Sequence, residues 1–348
     1  MREKRIHVAG NEFVVRMDEQ RVDRITRSWP YRQAIRPALK WLEGRWIPST
    51  APTNGQELAS GQTLDPHTEV EAVPVIVPRA APLQADTPEQ RAIVERIREH
   101  SDWYHTIDVG NGVLTPGFYD HEPALPHFPI PSDLTGKRCL DVATLDGFWA
   151  FEMERRGADE VMAMDIESWD DLDLPPRVLQ ELRSKGVIGP IGTGFEIASE
   201  LLASRVQKRI RNVYDLSPED FGQFDLVFCG DLLVHVTNPL HVLQNIYSVT
   251  RDIAIIYEPY SPSLDAAGLG PIAQLVGLLD GVRWWQFGRD YLARAIQLAG
   301  FARVEYCGTV DIRTRTHPLY EVTRAIFRAF RDPLPQGQQA EAACEGAH

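Results

Sequence analysis

The stretch from Lys137 to Gly157, KRCLDVATLDGFWAFEMERRG, with Asp165 closing the next apolar run, constrains the fold of this chain more than any other segment. It reads as a buried strand over Arg138 to Val142, a turn closed by Gly147, a helix over Phe148 to Arg156, and a second strand over Glu160 to Met164 that ends on a carboxylate. That order is one mononucleotide-binding βαβ half. Glycine at 147 lets the backbone pass close under a ligand at the N-terminus of the following helix, and Asp165 can accept hydrogen bonds from both hydroxyls of a ribose.

A dinucleotide calls for G-x-G-x-x-G at this turn, so that a pyrophosphate can approach the backbone. Ala143 and Leu145 stand in those places, with Asp141 two residues before Ala143. The pattern fits S-adenosylmethionine (SAM), whose sulfonium and amino-acid tail carry no phosphate. A glycine turn between a strand and a helix also occurs in α/β domains that bind nothing there, so the motif needs support from the rest of the chain.

That support comes from three further segments. FDLVFCGDLLVH over Phe224 to His235, followed by Asn238-Pro239-Leu240, resembles the fourth strand and following turn of class I SAM-dependent methyltransferases. More narrowly, it is similar to the group containing the bacterial tRNA wobble-uridine carboxymethyltransferase. Trp103-Tyr104-His105, Gly112 to Gly117 and Leu134 to Lys137 resemble that group's lead-in, and Trp284-Trp285 with Ala299-Gly300-Phe301 its tail. The resemblance covers about Ile97 to Phe330. It implies a Rossmann-like α/β fold with seven strands, the last antiparallel, SAM as cofactor, and a lead-in that folds over the cofactor.

The domains expected are an N-terminal extension and linker over 1–87, a lead-in or lid over 88–133, the SAM-dependent domain over 134–330 and a flexible tail over 331–348. In the extension a strand pair (Arg5 to Val8, Glu12 to Met17) precedes a helix from Pro30 to Glu43, on which Ile35, Leu39 and Leu42 share a face. The Pro-, Ala- and Thr-rich stretch from Ile47 to Thr87 reads as a linker or extended arm. Thr87 and Gln90 form a capping box for a helix over Pro88 to His100. Beyond the βαβ half come a long irregular insert, strands near Arg209 to Val213 and Asp225 to Cys229, a helix over Pro239 to Val249, and a strand over Asp252 to Tyr257. A helical insert (Pro271 to Leu279), a helix (Arg289 to Ala299) and strands over Arg303 to Gly308 and Tyr320 to Ile326 complete the pattern. Strands and helices in alternation imply a mainly parallel sheet covered on both faces.

Charge and cysteine content narrow the partners. The formal net charge is −13, but residues 1–50 carry 11 Lys and Arg against 6 Asp and Glu, leaving 25 against 43 for the remainder. An enzyme that grips tRNA needs a basic footprint to displace phosphate counterions. The acidic body disfavours nucleic acid, and only the N-terminal segment has the sign for it. No apolar run has membrane-span length and no signal-like start is visible, so a cytoplasmic location and no membrane partner are expected. The N-terminal region is the candidate surface for a homodimer. The four cysteines are scattered without a C-x-x-C and read as reduced thiols.

The cofactor-binding candidates are Asp141, Ala143, Gly147, Asp165, Asp215 and Gly230. Asp165 is assigned to the ribose, and the resemblance places Asp215 beside the adenine amino group. Asp141 either reaches the methionine amino group or ties down the turn. Asp231 and His235 follow the fourth strand at the carboxyl edge of the sheet, where open α/β folds place ligands. Methyl transfer requires in-line positioning and, for a hydroxyl acceptor, removal of a proton. His235 is the candidate base because imidazole titrates near neutrality, Asp231 its holder, and Glu258 the next candidate. Tyr119, His121, Trp284 and Trp285 are the candidate walls of the acceptor pocket, and His105 and His121 have no metal-ligand spacing. In the tRNA enzyme a tyrosine precedes the histidine after the fourth strand; here that residue is Val234, and a basic C-terminal segment is missing, so plain SAM is the expected donor. The reading is a SAM-dependent methyltransferase of small-molecule biosynthesis. Its alternatives are a tRNA-modifying enzyme and a SAM-binding assembly module that has lost catalysis, the latter resting on Ala143 and Leu145 in place of glycines.

Overall fold

The structure is a computed structural model that describes residues 73–79, 85–186, 189–266, 268–278, 283–315 and 321–332, together with the backbone of two N-terminal strands. Those strands, β1 (Arg2–Val8) and β2 (Asn11–Met17), pair antiparallel from Arg2 opposite Met17 to Val8 opposite Asn11 and contain the strand pair expected over Arg5 to Val8 and Glu12 to Met17. They belong to a unit over residues 1–74, separate from the larger unit that begins at Val75. The helix expected from Pro30 to Glu43, the tail beyond 332 and Cys344 lie outside the described residues.

The larger unit is built on an eight-stranded sheet. Its strands are β3 (Val75–Ile76), β4 (Arg138–Val142), β5 (Glu160–Asp165), β6 (Gln207–Ile210), β7 (Phe224–Gly230), β8 (Thr250–Pro259), β11 (Arg303–Arg313) and β12 (Glu321–Phe330), in the order β3-β11-β12-β8-β7-β4-β5-β6. Only β12 runs antiparallel to its neighbours β8 and β11. The seven strands implied by the resemblance are therefore present, with the last antiparallel. The additional strand is a finding: Val75 and Ile76, inside the stretch read as linker, pair parallel with Asp311 and Ile312. Arg79, just beyond, donates from its amide, Nε and Nη2 to the fully buried Asp120. A proline-rich composition does not register a two-residue strand anchored by an arginine paired with Asp120 and Glu122.

Side-chain alternation divides the strands between two cores. Cys139, Val161, Phe228, Tyr257 and Ile326 face the helices Pro88–Arg98, Phe148–Arg155 and Thr193–Leu202. Leu140, Met162, Val227, Ile256 and Phe327 face Pro239–Val249 and Arg289–Ala299. The chain runs outward from β4 to β5 and β6, then returns to place β7 beside β4. The carboxyl ends of β4 and β7 thus form the switch point at which such sheets bind ligands.

Two expected segments differ. The insert after Asp165 is ordered into a short turn (Trp169–Asp171) and the helices Pro176–Ser184 and Thr193–Leu202. The helix expected at Pro271 to Leu279 is instead strand β9 (Ala273–Leu275), paired with β10 (Trp285–Phe287), and the helical piece lies earlier, at Pro262–Ala266. Tertiary pairing overrode a weak helical period there. The helix Pro88–Arg98 starts as expected: Thr87 Oγ1 accepts from the Gln90 amide, and the Gln90 side chain accepts from the Thr87 amide.

Candidate functional site

The turn after β4 departs from ordinary backbone at alternate residues, with φ of 60° at Ala143, 47° at Leu145 and 92° at Gly147. Only glycine takes such angles without strain; an L side chain there costs about 1–2 kcal/mol. The turn is held in this shape by its neighbours. Thr144 donates its amide to the Met164 carbonyl (3.1 Å) and its hydroxyl to Asp141 Oδ2 (2.6 Å), which also accepts the Ala150 amide (3.1 Å). Asp165 Oδ2 accepts the Leu145 amide at 2.7 Å, and its Oδ1 accepts the Ile166 amide at 2.8 Å. A Cβ on Gly147 would lie 2.5 Å from Phe151 and 2.7 Å from Phe195, so both space and φ require glycine.

Asp141 ties down the turn through Thr144 and Ala150. It is 1 % exposed. Asp146 was not anticipated: it accepts the amides of Tyr104 (2.6 Å) and His105 (2.9 Å) and binds the lead-in to the turn. A buried acid one residue before Gly147 in an otherwise apolar helix start was the available signal. Burial pushes Asp141 and Asp146 up to about 7 and Asp165 up to about 6; bonds from Thr144 and Ala150 (Asp141), from the His105 and Tyr104 amides (Asp146) and from the Leu145 and Ile166 amides (Asp165) oppose the rise.

The lead-in crosses itself above this edge. Thr106 donates its amide to Tyr119 and Tyr119 to Tyr104, so Tyr104, His105, Tyr119 and His121 share one aromatic box with Phe148. Below the box lies a residue the sequence reading missed altogether. Arg324, 2 % exposed, stacks over Tyr119 with its guanidinium carbon 4.5 Å from the ring centre, and donates Nε to Asp231 Oδ1 at 2.6 Å. Because β12 is antiparallel, its first residues reach the edge where the parallel strands end, and Arg324 pairs in register with Pro259. A charge in the apolar run EVTRAIFRAF was the signal in the sequence.

Four further candidate positions have their surroundings defined by the protein itself. Asp231, held at φ 53°, accepts from Arg324 at Oδ1 and from the Tyr104 hydroxyl at Oδ2 (3.0 Å), so it anchors the lead-in. Glu258 is fully buried, and its Oε1 accepts the amides of Leu232 and Leu233, both at 2.8 Å. It positions the short turn Leu233–His235 and has no exposed face for an acceptor. Burial pushes its carboxyl up to about 8. Trp284 and Trp285 donate their indole N–H groups to the carbonyls of Asp173 (2.7 Å) and Val236 (3.0 Å), which ties Trp284 to the insert after β5 and Trp285 to the loop after β7. A Cβ on Gly230 would lie 3.0 Å from Phe228 and 3.1 Å from Tyr257, so its bareness serves ring packing.

His235 ends its turn half-buried, and Asp215 is exposed at the end of the turn Val213–Asp215. Tyr119 and His121 are buried in the box. Asp173 closes the far side, accepting from the Tyr214 hydroxyl (2.6 Å) and from the amide and hydroxyl of Thr237. Among the described residues no cluster of three or more His, Cys, Asp or Glu is arranged to hold a metal ion.

No protein-family model matches the chain. Over 112 residues it is 30 % identical to a ubiquinone biosynthesis O-methyltransferase of Xanthomonas oryzae pv. oryzae (strain PXO99A), covering 32 % of this chain and 38 % of that protein. The corresponding protein of Acinetobacter baumannii (strain AYE) is 28 % identical over 111 residues. The chain thus spans 38 % of the length of these curated relatives. Among solved structures, the N-terminal domain of EvdMO1, in the presence of SAH and D-fucose, superposes with a TM-score of 0.45 and 20 % identity, covering 72 % of this chain and 99 % of that one. Magnesium protoporphyrin IX methyltransferase from Synechocystis PCC 6803 with bound SAH gives 0.39 and 17 %, covering 72 % and 90 %. What decides the architecture is the strand order, with its single antiparallel strand at β12. The fold is the class I methyltransferase fold. The turn from Ala143 to Gly147, Asp165 and the loop after β7 lie together at the carboxyl edge of that sheet. No helix of the described residues is long and apolar enough to cross a membrane.

Proposed function

We propose that this chain binds SAM at the carboxyl ends of β4 and β5 and transfers its methyl group to a small-molecule acceptor held beneath the lead-in. The observation that carries the reading is the turn itself. Ala143 and Leu145 hold left-handed backbone against their own side chains, with Asp165 bonded to the Leu145 amide. Strain of this kind persists where the surroundings enforce it, and such sites are commonly functional. It also weakens the inactive-module alternative, since the turn keeps a glycine-like shape without the glycines.

The donor set suits SAM. Asp141, Asp146 and Asp165 are buried together, with Lys208 as the cation acting on Asp146 and Asp165. A ligand carrying a sulfonium and an ammonium group would answer that excess of carboxyl groups. Bound SAM supplies an electrophilic methyl. Asp165 would take the ribose hydroxyls, Asp215 the adenine edge, and His235 the acceptor's proton, held in place by its turn on Glu258. Support for plain rather than carboxylated SAM is that Val234 is buried and apolar and that Arg324 already has its counter-charge in Asp231. An added carboxylate would find no unspent partner there, and its desolvation cost would stay uncompensated. The tRNA alternative has kinship behind it and the acidic body against it. Buried thiols at Cys139 and Cys229 suit a reducing, cytoplasmic setting.

Calorimetric titration of the full chain with S-adenosylhomocysteine tests the first step, with saturable one-to-one binding expected. SAM turnover over a panel of hydroxylated acceptors and bulk tRNA tests the second. Binding without turnover on any acceptor would favour the assembly module, and turnover on tRNA alone would overturn the small-molecule reading.

A further inference from the structure

Buried polar atoms are nearly always hydrogen-bonded, yet one enclosure here gathers several that have no partner: Nδ1 of His105, both ring nitrogens of His121 and the hydroxyl of Tyr257. Their rings are neighbours, with centroids 5.3 Å apart for His105 and His121 and 5.9 Å for His121 and Tyr257. His121 is 1 % exposed, His105 4 % and Tyr257 1 %. The enclosure lies one residue beyond the cofactor turn, since Phe148, directly after Gly147, stacks on His105 at 5.8 Å and faces His121 at 5.6 Å.

The chemistry of these atoms restricts what can satisfy them. Burial and the Arg324 cation hold the His121 imidazole in its neutral form, and His105 is lowered in the same way by burial and by its neighbours. A neutral imidazole with both nitrogens orphaned offers one donor and needs one acceptor filled in return. A carboxylate or phosphate only accepts and would leave the lone-pair nitrogen unmet. An ammonium only donates, and Arg324 repels it. A hydroxyl both donates and accepts, as does the phenol of Tyr257 opposite.

We propose that the His105, His121 and Tyr257 enclosure is the acceptor subsite and that it takes an uncharged polyhydroxylated molecule through at least two of its hydroxyls. The inference rests on the methyltransferase reading of the adjoining turn. Hydroxyls of one such molecule would answer the orphaned nitrogens of His121 and the phenol of Tyr257 together. Tyr104 and Tyr119 roof the enclosure, so entry requires the lead-in to lift and the hydrogen bond from Tyr104 to Asp231 to open.

The test uses the full chain saturated with S-adenosylhomocysteine, with side-chain imidazole ¹⁵N resonances recorded as probes are added. The neutral probes are methyl β-D-glucoside and myo-inositol, and the charged ones are glucosamine and glucuronate. At least one neutral probe should shift the His121 resonances saturably, with the charged probes at least tenfold weaker. Tyr257→Phe, which removes a single oxygen and keeps the ring packing, should weaken that probe by about five- to tenfold and leave S-adenosylhomocysteine affinity within twofold. His121→Phe should abolish probe binding, and His121→Gln should restore part of it. Resonances unmoved by every neutral probe would mean ordered water only and would overturn the subsite. Equal loss of S-adenosylhomocysteine affinity in Tyr257→Phe would overturn it by assigning the enclosure to the cofactor's tail. Failure of the unmodified chain to bind S-adenosylhomocysteine would instead sink the methyltransferase reading beneath it.

Discussion

Asp165 has two tasks that a single substitution pair can separate. Its carboxylate holds the Leu145 amide and, in the proposed complex, the ribose. Asp165→Ala should weaken S-adenosylhomocysteine binding by about 2–4 kcal/mol, taking roughly 1.5–3 for each bond to a charged group with less than full additivity. Asp165→Asn keeps one acceptor and should fall between, as calorimetry would report; unchanged affinity in a folded Ala variant would place the ribose elsewhere. Arg324 makes a different prediction. It is 2 % and Asp231 13 % exposed in their side chains, so Arg324→Met strands a buried carboxylate and should cost about 3–5 kcal/mol in urea unfolding. Arg324→Met with Asp231→Leu should recover most of that. If the double variant is as unstable as the single, the loss comes from ring packing on Tyr119 and Tyr257.

At the scale of elements, the lead-in is held at both ends of Tyr104, by Asp146 on its amide and by Asp231 on its hydroxyl. Asp146→Ala would free two buried amides, each costing about 1–3 kcal/mol when unmet. Amide hydrogen exchange at Tyr104 and His105 should accelerate by ten- to a thousandfold while β4 and β7 amides stay protected. Uniform acceleration across the sheet would mean that Asp146 supports the whole fold. Gly117 is the stricter element. A Cβ there would lie 1.9 Å from the His105 carbonyl carbon and 2.1 Å from the Thr106 amide nitrogen, backbone atoms that cannot swing aside. Gly117→Ala should therefore separate the two crossing segments of the lead-in and abolish acceptor turnover. A crystal structure of that variant with the crossing intact would refute the account.

For the whole molecule, the buried acids set a pH dependence. Burial raises Asp165 to about 6, Asp141 and Asp146 to about 7 and Glu258 to about 8, all above the 4 or so of an unfolded chain. The folded state therefore holds protons that the unfolded state has released. Their stabilisation is complete below about pH 4 and is lost as pH rises to about 8. His105 and His121 work in the opposite sense. Their lowered pKa values mean that stability is lost as pH falls below about 6.5, where the unfolded imidazoles take up protons. From pH 6.5 to 8 the acids act nearly alone, so the melting temperature of the ligand-free chain should fall across that window, and SAM, bringing positive charge to the same carboxyl groups, should flatten the slope. A ligand-free melting temperature that rises over the window would contradict the burial of these acids.

How much of this was legible without the structure depends on the range of the interaction. The βαβ half, Gly147, Asp165 and the Thr87–Gln90 capping box rest on residues within about one turn or strand of each other, and alternation of apolar runs suffices to place them. The sequence by itself therefore determined the fold class, the strand-turn-helix order at the carboxyl edge and the sign of the body's charge. Pairing across the sheet lies beyond that range. Only the tertiary structure joined Val75 to Asp311, placed Arg324 beside Asp231 through the reversal of β12, and turned Pro271 to Leu279 from a helix into one side of a hairpin. It also set Glu258 beneath a turn, because what a buried carboxylate meets is settled by which backbone amides the fold brings to it, and here those are the amides of Leu232 and Leu233 in the loop after β7.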